Sequence, residues 1–264
     1  MMMSRTMGSL FSNAGRAGLA LLYPRHCALC KDPLEAATPV DQGLCEGCAG
    51  YLLPLEPPFC EQCSEPLAGN PGPDAVTCEN CLGHRWKLDG AVCALRGSQA
   101  AWELVHLFKY GRRSHLAPLL GRHLQRVFED RRIYGRGFDA LVPVPLHVGR
   151  ERERGFNQAR LLAEQLDNAP VQDLLIRARE TGTQTRLSRT GRQQNLRGAF
   201  QVRQTFTDWV GQRSPDHRVR GKSFLLIDDV FTTGSTLDEC ARVLKAAGAR
   251  EVWAATLVRA GGAD

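Results

Sequence analysis

Apolar residues change rhythm twice along the chain. Between residues 25 and 95 they are thin and scattered (Leu29, Leu44, Tyr51, Leu52, Leu53, Phe59, Trp86), interrupted by Pro54, Pro57, Pro58, Pro66, Pro71 and Pro73. That pattern predicts turns and knuckles with too little apolar mass for a core of their own. Past residue 95 the spacing becomes helical: Trp102, Leu104, Val105, Leu107 and Phe108 form one set, Leu116, Leu119, Leu120, Leu124, Val127 and Phe128 another, with Gly111 between them. From Phe138 onward short apolar runs alternate with amphipathic stretches, which predicts an α/β fold with a parallel sheet and flanking helices. Phe224, Leu225, Leu226 and Ile227 read as a strand buried on both faces. The helix after it carries Leu237, Ala241, Leu244 and Ala247 on one side, with Gly248 placed to end it. Ahead of all this, residues 8–23 are mildly apolar but broken by Arg16, and they read as a lead-in helix with Leu10, Leu19, Leu21 and Leu22 for packing. The expected division is 1–24 lead-in helix, 25–95 cysteine-rich module and 96–264 α/β domain. No stretch is apolar enough over 18 residues to predict a membrane span.

Cysteine usage explains how the thin segment can fold. Eight of the ten cysteines form four CxxC pairs, Cys27/Cys30, Cys45/Cys48, Cys60/Cys63 and Cys78/Cys81, with 14 residues between the inner cysteines of each half. Two CxxC knuckles at such a separation can supply four thiolates to a tetrahedral zinc ion, the zinc-ribbon arrangement. The repeat of the pattern predicts a double zinc-ribbon-like module whose metal supplies much of the folding energy. A disulfide scaffold would need an export signal, and a redox pair would need one CxxC at a strand-to-helix junction. The pairing of ligands, sequential or interleaved, stays open, as does substitution by His26 or His84. Cys93 and Cys240 read as small core residues.

Composition adds a bias in charge. The chain has 264 residues, 43% hydrophobic and 23% charged, with a net charge of +6, ordinary for a soluble protein. The positive balance favours phosphorylated metabolites, pyrophosphate or nucleic acid as partners. Between Arg150 and Arg203 there are 11 arginines, no lysines and six acids, and arginine suits phosphate groups of either kind.

The most informative segment is Phe224 to Thr236, FLLIDDVFTTGST. Asp228 and Asp229 follow the buried run, where α/β sheets bind ligands. They can accept hydrogen bonds from vicinal ribose hydroxyls or help hold Mg²⁺. Thr232, Thr233, Gly234, Ser235 and Thr236 then form a small, hydroxyl-rich turn at a helix start, which presents N–H groups to a phosphate. This segment resembles the PRPP-binding motif of type I phosphoribosyltransferases, departing only at Phe231, where a smaller aliphatic is usual. Further stretches, HLFKYGRRSHLAPLLG (106–121), LVPVPLHVGRERERGFNQARLLAEQL (141–166) and RETGTQTRLSRTGRQQNLRGAF (179–200), are similar to ComF-type proteins over roughly residues 25–260.

The resemblance implies a type I phosphoribosyltransferase-like domain behind a zinc module. It implies that VPVPL (142–146), with Val144 and Pro145, is a pyrophosphate loop, and that the region from Arg177 to Arg203 is a lid. Arg152, Arg154 and Lys109 are candidates for phosphate or pyrophosphate. ComF-type proteins are linked to natural competence and the handling of incoming single-stranded DNA, so a cytoplasmic protein with single-stranded DNA and competence-machinery partners is expected. Two classes of function stay open. As an enzyme, the protein would transfer ribosyl phosphate from PRPP to a base or amine, although no residue stands out as a general base or a base-recognition hood. As a nucleic-acid module it would rely on its arginines, because aromatic residues are only 7% of the chain and predict no extensive base stacking.

Overall fold

The computed structural model describes residues 25–35, 38–39, 43–69, 77–111, 113–179, 196–204 and 215–261. The lead-in helix expected over 1–24 and most of the expected lid lie outside these residues. In chain order the regular elements are α1 (Glu46–Ala49), β1 (Gly90–Arg96), α2 (Gln99–Tyr110), α3 (Ala117–Gln125), β2 (Ala140–Pro143), α4 (Val148–Arg154), α5 (Gln158–Ala163), β3 (Leu175–Arg177), β4 (Phe200–Val202), β5 (Ser223–Phe231), α6 (Ser235–Ala246) and β6 (Glu251–Arg259). Ser98 caps α2 by accepting from the Ala101 N–H at 3.2 Å. Gly111 follows the helix as its spacing predicts.

Four strands form a parallel sheet in the order β1-β6-β5-β2, and β3 and β4 pair as a separate antiparallel ribbon. Side chains alternate along β5 and divide the core in two. Leu225 and Ile227 face a cluster with Leu104 and Phe108 of α2, Leu120 and Leu124 of α3, and Leu162 of α5. Phe224 and Leu226 face a second cluster with Leu237, Cys240, Ala241 and Leu244 of α6, Leu175 and Phe200. Helices therefore cover both faces, as the near-continuous apolar strand requires. Cys93 and Cys240 are buried members of the second cluster.

Two differences from the sequence reading matter for function. The strand expected at 224–227 continues to Phe231, so the two acids lie within β5 rather than beyond it. The sheet also takes in Gly90–Arg96, residues assigned by pattern to the cysteine-rich segment, since β1 pairs with β6 from Gly90↔Trp253 to Arg96↔Arg259. Along the outer side of β1, Leu55 N–H donates to Ala94 O at 3.0 Å and Arg96 N–H to Leu53 O at 2.9 Å. The link between the two cysteine knuckle sets thus covers the sheet's edge, which would otherwise offer unpaired backbone.

The cysteine-rich segment is built into this core rather than appended to it. Cys27, Ala28, Leu44 and Leu52 join the first cluster, and Cys60, Cys63, Cys78 and Cys81 join the second. The halves repeat one local geometry: the bridges His26↔Pro33 and Phe59↔Pro66 correspond, and Lys31 and Ser64, each just after a CxxC, both adopt positive φ (68° and 60°). Arg132, 8% exposed, fastens the second half to β1. It donates to Glu61 O at 3.1 Å, Ala91 O at 3.2 Å and Ser64 Oγ at 2.9 Å, while Asp130 accepts from its other side at 2.6 and 2.9 Å.

Candidate functional site

The two acids of β5 differ in burial and in partners. Asp229, 3% exposed, meets Lys109 from the last turn of α2, with Nζ 2.9 Å from Oδ2. Burial works against the lysine's charge, but Asp229 and then Asp228 outweigh it and raise its pKa. Asp228 is half-buried and accepts from the Asp229 N–H at 2.9 Å. Desolvation, and after it the neighbouring Asp229 charge, hold Asp228 at about 7. One acid is therefore neutralised by an internal lysine, and the other is poised to titrate near neutrality. Lys109, expected as a phosphate ligand, is committed here to Asp229.

The small-residue turn lies where β5 hands over to α6. Gly234 is the N-terminal cap with φ 75°, and Thr233 and Ser235 hydroxyls share a hydrogen bond of 2.9 Å. Thr232 is exposed, Thr233 and Thr236 half-buried, Ser235 buried. A Cβ on Gly234 would sit 2.5 Å from the Phe231 ring and 2.7 Å from the Trp86 ring. The glycine is thus needed for conformation and for ring packing, not only for close approach of a ligand to the backbone. Phe231, the departure from the usual motif, is one of the two rings in question. Its centroid lies 6.2 Å from that of Trp86, and the Arg259 guanidinium stands 4.8 Å from its own.

The stretch Val144–Pro145 is buried and stiffly held. Val144 N–H donates to Ile227 O at 2.9 Å, and its carbonyl accepts from Asn157 Nδ2 at 3.1 Å. Asn157 also caps α5 through the Ala159 N–H at 2.9 Å. Arg152 is exposed on α4. Arg154 bonds Gln158 and lies 5.3 Å from the Tyr110 ring centroid, turned towards the end of α2. Beside the acid pair, Lys109 and the outer face of α2 line an open cleft of about 940 Å³.

The cysteines resolve into Cys27/Cys30/Cys45/Cys48 and Cys60/Cys63/Cys78/Cys81, each with its four sulfurs within 4.8 Å of one another. The pairing is sequential, and neither His26 nor His84 joins a set; His84 faces Trp86 and lies 3.8 Å from Asp238. Cys30 and Cys45 sulfurs are 3.7 Å apart, Cys63 and Cys78 3.6 Å. A ZnS₄ tetrahedron with bonds of about 2.3 Å has edges of about 3.8 Å, so both clusters fit structural zinc.

Sequence reasoning missed Arg259, although an arginine closing an otherwise apolar strand was a visible signal. Only 2% exposed, it joins the second cluster to the turn after β5. Its guanidinium donates to Cys63 O at 2.9 Å and to Phe231 O and Thr232 O at 3.0 Å each, approaches Cys63 Sγ at 3.7 Å and pairs with Glu65. A second brace runs from the segment after Cys81: Lys87 and Leu88 N–H groups donate to Asp238 Oδ1 in the first turn of α6 at 2.6 and 3.2 Å.

Comparison with known proteins finds two family models along the chain. Residues 118–263 match the phosphoribosyl transferase domain and residues 18–82 the double zinc ribbon domain. The DNA utilization protein YhgH of Salmonella typhi is 38% identical over 158 residues, covering 57% of this chain and 64% of that protein. Competence protein F of Haemophilus influenzae is 38% identical over 126 residues, 46% of this chain and 51% of that protein. Competence protein ComFC of Bacillus subtilis is 36% identical over 129 residues, 48% of each. The matches thus span between about half and two thirds of these relatives' lengths. With a double zinc ribbon built onto a parallel sheet that ends in an acid pair and a small-residue turn, the chain belongs to the phosphoribosyl transferase domain family.

Proposed function

We propose that the protein binds a ribose 5-phosphate ligand, PRPP with Mg²⁺, at the end of β5, and that it serves DNA uptake or use by handling single-stranded DNA. The observation that carries the ligand reading is the corner formed by Lys109, Asp229 and Asp228 beside the turn Thr232–Thr236. In this reading the N-terminus of α6 and the hydroxyls of the turn hold the 5-phosphate. Asp228 accepts from the ribose hydroxyls or holds the cation, since hard carboxylate oxygens suit Mg²⁺. Asp229, neutralised by Lys109, fixes the strand end. Arg152 and Arg154 take the pyrophosphate, with Val144 and Pro145 as the rigid floor of that loop.

The DNA part of the reading draws on the names of the relatives, DNA utilization and competence proteins, and on the excess of basic residues. Thiolate-rich ribbons fit a reducing compartment, so the cytoplasm is the proposed location. No helix among the described residues is long and apolar enough to cross a membrane. Calorimetric titration with Mg·PRPP and, separately, with a short single-stranded oligonucleotide tests both halves, using wild type and Asp228→Asn. The expected result is heat with both ligands for wild type and a selective loss of PRPP binding in the variant. PRPP binding unaffected by Asp228→Asn would remove the acid from the site. Pyrophosphate release in the presence of bases or amines would add turnover to binding.

A further inference from the structure

Helix α2 buries Ala101, Leu104, Val105 and Phe108 and turns a line of rings outward. Trp102 is 40% exposed, Tyr110 64%, and His106 is exposed between them. At positions i, i+4 and i+8 these rings fall on one stripe, about 6 Å apart along the axis. His106 and Tyr110 centroids are 5.0 Å apart. Beyond the amino end of the helix lies Tyr51, 67% exposed, whose backbone carbonyl accepts from the Ser98 hydroxyl at 3.0 Å. At the carboxyl end the Arg154 guanidinium stands over the Tyr110 ring, next to the Lys109–Asp229 ion pair.

A single exposed ring needs no explanation. Here, however, two of the seven large apolar side chains exposed among the described residues, Trp102 and Tyr110, stand on one helix with His106 between them, and all three rings line the cleft beside the acid pair. Rings in sequence next to a guanidinium make a stacking platform, because every nucleobase offers a π-face while the cation meets a phosphate. One free base cannot cover rings spread along a helix of 12 residues, whereas consecutive bases of a strand can. Paired bases in a duplex have no free faces to offer.

We propose that Trp102, His106 and Tyr110 are a base-stacking track for a single nucleic-acid strand, which is thereby led to the Lys109–Asp229 corner. The proposal rests on the nucleic-acid half of the function proposed above and assigns its base contacts to α2, bordered by Arg154 of the arginine-rich stretch 150–203.

The test is fluorescence anisotropy with a labelled thymidine oligonucleotide and an abasic strand of equal length, against wild type, Trp102→Ala, Trp102→Phe and Tyr110→Ala. Wild type is expected to bind the thymidine strand at least tenfold more tightly than the abasic one. Each alanine variant should lose between roughly fivefold and a hundredfold, the range for one stacked base, while Trp102→Phe keeps most of the affinity. Zinc content and binding of ribose 5-phosphate should be unchanged in all three variants, which separates loss of the track from misfolding. Equal binding of the abasic strand, or wild-type affinity in both alanine variants, overturns the track and leaves the nucleic-acid reading to the arginines. Absence of oligonucleotide binding by wild type overturns the track and the nucleic-acid reading together, with the ribose-phosphate reading untouched.

Discussion

Asp228 and Gly234 carry the sharpest consequences at the scale of single residues. Desolvation and Asp229 raise Asp228 to about 7 from an ordinary value of 3.8. Because the folded pKa lies above the unfolded one, this group's contribution to stability is present below about pH 4 and is lost as pH rises through 7. Asp228→Asn removes that penalty, so the ligand-free variant should melt higher than wild type at pH 8 and gain little at pH 4. Ligand binding runs the other way. Mg²⁺ and ribose hydroxyls favour the ionised carboxylate, so affinity for Mg·PRPP should rise from pH 6 to pH 8 with proton release, and calorimetry in buffers of different ionisation heat measures this. A flat profile in wild type, or the same slope in Asp228→Asn, would place the titrating group elsewhere. Gly234→Val meets two obstacles, the positive φ and the rings of Phe231 and Trp86, and the φ alone costs about 1–3 kcal/mol. It should abolish binding of ribose 5-phosphate and lower stability. Thr233→Ala should weaken binding by about 0.5–1.5 kcal/mol, the worth of one hydrogen bond. Wild-type affinity in Gly234→Val would move the phosphate away from this turn.

Among elements, the junction of the second ribbon with β5 and α6 is the most exacting. Arg259 supplies donors to the carbonyls of Cys63, Phe231 and Thr232 and a partner to Glu65, all from a buried guanidinium. Arg259→Met should therefore cost about 3–5 kcal/mol, the range for stranding a buried charge, whereas Arg152→Ala on exposed α4 should stay within about 0.5 kcal/mol. Urea unfolding curves compare them, and similar midpoints would deny Arg259 this role. The elements themselves were legible to different degrees. Helical spacing marked α2 and α3, and the run from Phe224 to Ile227 with two acids and a hydroxyl-rich turn marked β5 and α6, because local periodicity and turn chemistry are written in neighbouring residues. The partners of Lys109, Asn157 and Arg259 were not, since each is chosen by a strand or ribbon distant in sequence. The aromatic line on α2 escaped for a related reason: a low overall aromatic content conceals rings that a helix gathers on one face.

For the whole molecule, the decisive fact is that the zinc ribbons lie on opposite faces of one sheet and contribute to its two cores. The division of the sequence at residue 95, with a metal-dependent module before it, would suit two parts that unfold separately. The shared packing, the cover that Leu53–Leu55 gives to β1, and the Arg132 and Arg259 braces argue instead for one cooperative unit. The two metal sites nevertheless differ in access: Cys30 is exposed and Cys45 and Cys48 half-buried, while Cys60, Cys63, Cys78 and Cys81 are all buried. Freshly purified, reduced protein should carry two zinc ions per chain, and a chelator should remove the first-ribbon ion faster. Losing the second ion, or making Cys60→Ser, should raise hydrogen exchange not only in residues 59–69 but along β1, β5 and β6. Folding energy supplied by the metal would then be felt at the acid pair and the turn after β5. By the same linkage, ribose 5-phosphate should slow release of the second ion, because whatever binds the intact turn stabilises the brace behind it. Unchanged protection of β5 and β6 after removal of both ions would show that the sheet stands without its ribbons, and the sequence picture of separable modules would be the correct one.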